Sequence, residues 1–112
     1  MQSRAGSSRA RFLVKLSGEA LGGPSGVGVD GTAVANIGRE VVQAHEQTEG
    51  LAVVIGGGNF FRGGRSVPWS LDRVTGDHVG MLATVMNGLA LQGAIENLDV
   101  PTRVQSAIRF NL

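Results

Sequence analysis

Apolar residues along this chain form short runs separated by stretches in which they recur at helical spacing. Phe12 to Leu16 is apolar except for Lys15 and predicts a strand. Ser17-Gly18 breaks it, and residues 19 to 30, dense in Gly with Pro24 among them, predict a loop or small hairpin. Asp30 can cap a helix running from about Thr32 to Gln47, where Val34, Ile37, Val41 and Ala44 make an apolar stripe opposite a polar face. Leu51 to Ile55 is a continuous apolar run ending in Gly56-Gly57-Gly58-Asn59, the pattern of a strand buried on both faces. Phe60 to Ser70 reads as irregular. A long helix is expected over about Leu71 to Leu98, broken near Gly76, with Leu82, Val85, Met86 and Leu89 as its buried stripe. Pro101 marks its stop, and Thr102 to Ser106 predicts a third strand. The order strand, helix, strand, helix, strand argues for an α/β fold with a parallel sheet covered by helices.

Composition narrows this picture. The chain has 112 residues, 42% hydrophobic and 17% charged, enough apolar material for a packed core in one small domain or part of a larger one. Aromatic content is 4% with no Tyr, which argues against a base-stacking platform and a nucleic-acid partner. The formal net charge of +1 argues neither for nor against a polyanionic partner. Without Cys, disulfides and thiolate metal sites are excluded, and a reducing, cytoplasmic setting fits. No apolar run is long enough to span a bilayer, so no membrane partner is expected. Residues 1–10 read as a flexible basic tail. The 18 Gly are the outlier, pointing to turns or to backbone that must approach something closely.

Lys15 falls at the C-terminal end of a predicted strand, where ligands of open α/β sheets gather. It can meet an anion as a compact charge, with Ser17 and the N–H groups of the Gly18 turn as further donors. A solvated Lys beside an ordinary turn is the plainer reading, and both stand. Gly56-Gly57-Gly58 strips side chains from a strand end, so its N–H groups can reach phosphate oxygens; a tight turn is the alternative. Arg62, just beyond, can grip phosphate bidentately. Asp77 is either an acidic residue favouring a helix N-terminus or a carboxylate that accepts hydrogen bonds from sugar hydroxyls. His45 and His78 are too far apart in sequence to suggest a metal pair. Gly80, Ala83, Gly88, Ala90 and Gly93 make the long helix small-sided, suited to close helix–helix contact within or between subunits.

Together the segments resemble the bacterial uridylate (UMP) kinases of the amino-acid kinase superfamily. Leu13-Val14-Lys15-Leu16-Ser17-Gly18-Glu19-Ala20-Leu21 is similar to the opening of that family. Val53-Val54-Ile55-Gly56-Gly57-Gly58-Asn59 with Phe61-Arg62-Gly63 is similar to its second motif. Asp72-Arg73-Val74-Thr75-Gly76-Asp77-His78, followed by Gly80-Met81-Leu82-Ala83-Thr84-Val85-Met86-Asn87, is similar to its third. The resemblance covers about residues 11 to 108 and implies a three-layer α/β/α sandwich with a mainly parallel sheet. It implies transfer of the ATP γ-phosphoryl group to UMP, giving UDP for pyrimidine nucleotide synthesis, with Mg²⁺ accompanying ATP. It places Lys15 as the catalytic residue and Lys15, Leu16, Ser17, Gly18, Gly58 and Arg62 on ATP. Gly57 and Asp77 fall on UMP. Gly23, Pro24, Ser25, Gly26, Val27 and Gly28 correspond to a region tied to activation by GTP, and the family assembles as homohexamers.

The chain is short for that pattern, since the family's enzymes are roughly twice as long, an ordinary two-lobed kinase size. Residues 11–112 are therefore expected to be the N-terminal, acceptor-side part of the domain, lacking the uracil grip and most of the ATP lobe. Turnover by the chain alone is expected to be absent or weak, and the isolated chain to be aggregation-prone or partly molten. The alternatives are a non-enzymatic truncated fragment that associates with full-length subunits, and another superfamily member such as a kinase for aspartate or acetylglutamate. Thr75-Gly76-Asp77-His78 disfavours the latter.

Overall fold

A computed structural model describes residues 9–60 and 72–107. Arg62, the rest of the Phe60 to Ser70 stretch after Phe60 and most of the basic tail lie outside the described residues. Strand β1 is Arg11–Leu16 and strand β2 is Gly50–Ile55. They pair in parallel, from Arg11 opposite Gly50 to Leu16 opposite Ile55. Parallel neighbours need a long crossover, which here comprises a 3-10 segment, Gly18–Ser25, and helix α1, Gly31–His45. Helix α2, Arg73–Glu96, follows β2. The fold is thus α/β with a parallel sheet.

Local chemistry sets the element ends. Asp30 is the N-cap of α1, its Oδ2 accepting the Ala33 N–H at 2.9 Å, as the sequence suggests. Asp72 caps α2 in the same way through the Thr75 N–H at 2.9 Å. α2 runs unbroken through Gly76, which is buried inside it. A glycine costs helix stability but does not by itself break the hydrogen-bond ladder. Past Glu96 the chain turns at Asp99, whose φ of 64° reverses it before Pro101 is reached.

Where the sequence predicts a loop or small hairpin over residues 19 to 30, the chain forms two short 3-10 turns over Gly18–Ser25, kinked at Gly23 with φ 66°, and then a loop. Ser17 nucleates the first turn by accepting the Glu19 N–H at 3.2 Å. Leu21 is fully buried there, and its carbonyl takes the Asp30 N–H at 2.7 Å.

The core differs from the predicted one in two ways. Three of the four residues of the expected α2 stripe face outward: Leu82 and Met86 are each 47% exposed and Leu89 is exposed as well, while Val85 is half-buried. The buried line is Gly76, Ala83, Asn87, Leu91 and Ile95. Close approach explains this choice. A Cβ on Gly38 of α1 would lie 2.9 Å from the Ala94 Cβ, and one on Gly57 would lie 2.9 Å from the Ala83 Cβ. α2 packs through the face where Ala83 and Ala94 let backbones meet at Gly57 and Gly38, with Leu91 and Ile95 buried alongside, and Leu82, Met86 and Leu89 are left outside.

β2 alternates rather than being buried on both faces. Leu51, Val53 and Ile55 are half-buried, while Ala52 and Val54 are exposed. α1 and α2 pack on each other and both touch β2, so among the described residues helices cover one sheet face. Nor do residues 102–106 form a strand. The Thr102 carbonyl accepts from Gln92 Nε2 at 3.0 Å, and Val104 Cγ1 lies 3.2 Å from the Cβ position of Gly88. The segment leans on α2 and makes no ladder with β2, so the sheet of the described residues has two strands.

Candidate functional site

Adjacent parallel strands end side by side, and their two glycine turns consequently touch. The Gly56 N–H donates to the Leu16 carbonyl at 3.2 Å, carrying the strand pairing one residue into the Gly56-Gly57-Gly58 run. Gly18 is buried against that run. A Cβ at Gly18 would sit 2.5 Å from the Gly56 carbonyl oxygen and 2.7 Å from Asn59 Oδ1, so only Gly fits. Lys15, Leu16, Ser17 and Gly18 are thereby brought to Gly56, Gly57 and Gly58 at the C-terminal edge of the sheet.

Lys15 lies opposite Val54 on β1 and is exposed. By strand alternation it shares the open sheet face with Leu13. Ser17 Oγ accepts from the Glu19 N–H and donates to Glu19 Oε1 at 3.3 Å. Glu19 in turn reaches the second turn, its Cγ and Oε1 lying 3.7 Å from the Cβ position of Gly58. An acidic side chain thus lies between the two glycine turns, a neighbour that the strand and turn pattern did not single out.

Asp77 is exposed in the second turn of α2. The cap belongs to Asp72, whose carboxyl is held below the usual aspartate range by hydrogen bonds from the Thr75 hydroxyl and N–H, with a smaller contribution from nearby His78. Asp77 lies past the first turn of α2, where the helix dipole acts weakly. Gly80, three residues on, places its carbonyl oxygen 3.1 Å from the Cβ position of Gly57. Asp77 is about one helical turn, ~5 Å, from that contact.

The 23–28 segment forms the tail of the 3-10 region and the loop after it. Gly23, Gly26 and Gly28 all have positive φ, a backbone suited to glycine. Ser25 Oγ accepts the Val27 N–H at 3.1 Å, and Pro24 lies within the second 3-10 turn. This loop is fastened to the glycine run. The Gly28 N–H donates to the Asn59 carbonyl at 2.9 Å, and Asn59 Nδ2 donates to the Gly28 carbonyl at 2.8 Å.

Asn59 and Asn87 are the residues whose importance the pattern did not reveal. Both are buried and pair reciprocally through their side-chain amides. The available signal was a lone polar residue on the helical line Ala83, Asn87, Leu91, Ile95. Among the described residues no group of three or more His, Cys, Asp or Glu could hold a metal ion, and no helix is long and apolar enough to cross a membrane.

Residues 10–112 match the amino acid kinase family. The chain is 52% identical over 101 residues to the uridylate kinase of Dichelobacter nodosus, and 50% identical over 101 residues to that of Xanthomonas axonopodis pv. citri. Each match covers 90% of this chain and 42% of the relative. The chain therefore spans less than half the length of these curated relatives. Its fold is similar to that of the UMP kinase of Ureaplasma parvum, with a TM-score of 0.80 and 32% identity over 91% of this chain and 45% of the other. The UMP kinase of Bacillus anthracis gives a TM-score of 0.68 and 36% identity, over 81% and 37% of the respective chains.

Proposed function

Because the chain belongs to the amino acid kinase family, we propose that it is the nucleotide-facing part of a uridylate kinase, which transfers the γ-phosphoryl group of ATP to UMP. The observation that carries the reading is the contact between Lys15–Gly18 and Gly56–Gly58 at the C-terminal ends of adjacent parallel strands. Transfer between two anions is governed by positioning and charge neutralisation. Lys15 supplies positive charge to the transferring phosphoryl group. Leu16, Ser17 and Gly18, with Gly58 and Arg62, bind ATP phosphates. Gly57 and Asp77 bind UMP, Asp77 accepting from sugar hydroxyls.

Mg²⁺ bound with ATP would neutralise phosphate charge. Mg²⁺ ordinarily keeps several waters and is held largely by substrate phosphates. The loop 23–28, tied to Asn59, is the proposed GTP-responsive region. The proposed assembly is a homohexamer; the exposed apolar residues Val74, Met81, Leu82, Met86 and Leu89 along α2 support self-association, without fixing the number of subunits. The same stripe supports a second reading, in which the chain associates with full-length subunits without turnover of its own.

Binding decides the matter more directly than turnover, since the chain spans 42% of its relatives. Titrating UMP and ATP–Mg²⁺ into the isotopically labelled chain is expected to shift the amide signals of Gly57, Gly58 and Asp77, with little UDP formed. Shifts confined to other regions, or none, would refute the assignment.

A further inference from the structure

Nothing in the proposed phosphate chemistry calls for Asn59 or Asn87, yet they are the two buried polar residues among those described, 3% and 0% exposed. Asn87 occupies a position on α2 flanked by Ala83 and Leu91, where an apolar side chain would pack without desolvating an amide. Every amide N–H of the pair is used. Asn87 Nδ2 donates to the Gly56 carbonyl at 2.7 Å and to Asn59 Oδ1 at 2.8 Å. Asn59 Nδ2 donates to Asn87 Oδ1 at 3.0 Å and to the Gly28 carbonyl at 2.8 Å.

The target of the first bond matters most. In a planar trans peptide, the Gly56 carbonyl and the Gly57 N–H point in opposite directions within one plane. Holding the carbonyl therefore fixes the direction of the N–H. Between glycines that plane is otherwise weakly restrained, because no Cβ limits its rotation. Ala83, one turn earlier on α2, fills the Cβ position of Gly57 and keeps the helix seated against the run.

We propose that Asn87 is a positioning residue, which with Asn59 clamps the Gly56–Gly57 peptide and so aims the Gly57 N–H at its ligand. The clamp also locks the Gly28 loop to the same peptide through Asn59. The ligand side of this proposal rests on the reading of Gly57 as a UMP contact. The clamp itself rests on the hydrogen bonds alone.

The discriminating variant is Asn87→Asp in the 112-residue chain. It keeps an acceptor for Asn59 Nδ2 but turns an oxygen toward two other acceptors, the Gly56 carbonyl and Asn59 Oδ1. Burial among acceptors pushes the new carboxyl's pKa up, and its protonation restores one of the two lost donors. Amide exchange at Gly28, Gly56 and Phe60 and UMP affinity are followed by NMR from about pH 8 to about pH 5, each relative to the unsubstituted chain at the same pH. We expect exchange to quicken and UMP affinity to fall roughly ten-fold at the alkaline end, as for loss of a buried hydrogen bond. Both should recover on acidification. Leu91→Ala, a cavity on the same helix face, should loosen α2 broadly with no recovery at low pH. A pH-independent Asn87→Asp phenotype like that of Leu91→Ala overturns the proposal. So does rapid exchange of the Asn59 and Asn87 side-chain amides in the unsubstituted chain. Clamp behaviour as expected, with no UMP shift at Gly57, would overturn the nucleotide reading and the ligand role together, while showing that the clamp exists.

Discussion

Gly18→Ala tests the contact on which the site depends. The added methyl would stand 2.5 Å from the Gly56 carbonyl oxygen, 2.9 Å from its carbon and 2.7 Å from Asn59 Oδ1. Two of these atoms are backbone, and the third belongs to a buried amide already bonded to Asn87. None can rotate away, so the two strand-end turns must separate. Overpacking of this kind costs about 1–3 kcal/mol. For a domain of this size each kcal/mol lowers the midpoint by roughly 4–8 °C. Gly93→Ala is the matched control: nothing lies within 4 Å of its Cβ position, and it sits inside α2. There the same change should stabilise by about 0.5–1 kcal/mol through helix propensity. Thermal denaturation followed by circular dichroism should move the two midpoints in opposite directions. A Gly18→Ala midpoint at or above that of the unsubstituted chain would show that the turns are not in contact.

Three further outcomes follow from the same geometry. Lys15→Ala, at an exposed strand position, should change stability by less than about 0.5 kcal/mol while abolishing the ATP-induced shifts at Gly58; retained shifts would remove Lys15 from the site. Leu91→Ala, 4% exposed in the core, should cost about 2–5 kcal/mol in denaturant unfolding, and a loss within error of zero would contradict the packing of α2. Asp72 should hold the first turn of α2 above the ordinary aspartate range. Its folded pKa is depressed by Thr75, so this contribution is present above the unfolded value and lost as pH falls through the folded one. Protection of the Gly76 and Asp77 amides, taken relative to intrinsic exchange at the same pH, should fall in acid, and in Asp72→Ala at neutral pH; protection unchanged in that variant would refute the cap.

Much of the element order was legible because it is encoded locally. The apolar run before Ser17-Gly18, the Asp30 cap and the run ending at Ile55 each declare themselves within a few residues. The motifs around Lys15, Gly57 and Asp77 were legible as a resemblance, and the structure joins the first two by pairing β1 with β2. The face of α2 was not legible. Periodicity showed that Leu82, Met86 and Leu89 share a stripe, and hydrophobicity favoured burying it. Yet the helix turns Ala83, Asn87, Leu91 and Ile95 inward, since only that face permits contact at Gly38 and Gly57.

Sequence by itself thus determined β1, α1, β2 and α2 in their order, the Asp30 cap and the family. Tertiary structure decided which side of each element is inside, whether residues 102–106 join the sheet, and what Asn59 and Asn87 do. The reason is that periodicity reports which residues share a face, whereas burial depends on how closely two backbones approach. An amide whose partners lie 28 and 31 residues away has no local signature. Its role exists only where three separate segments meet around the Gly56–Gly57 peptide.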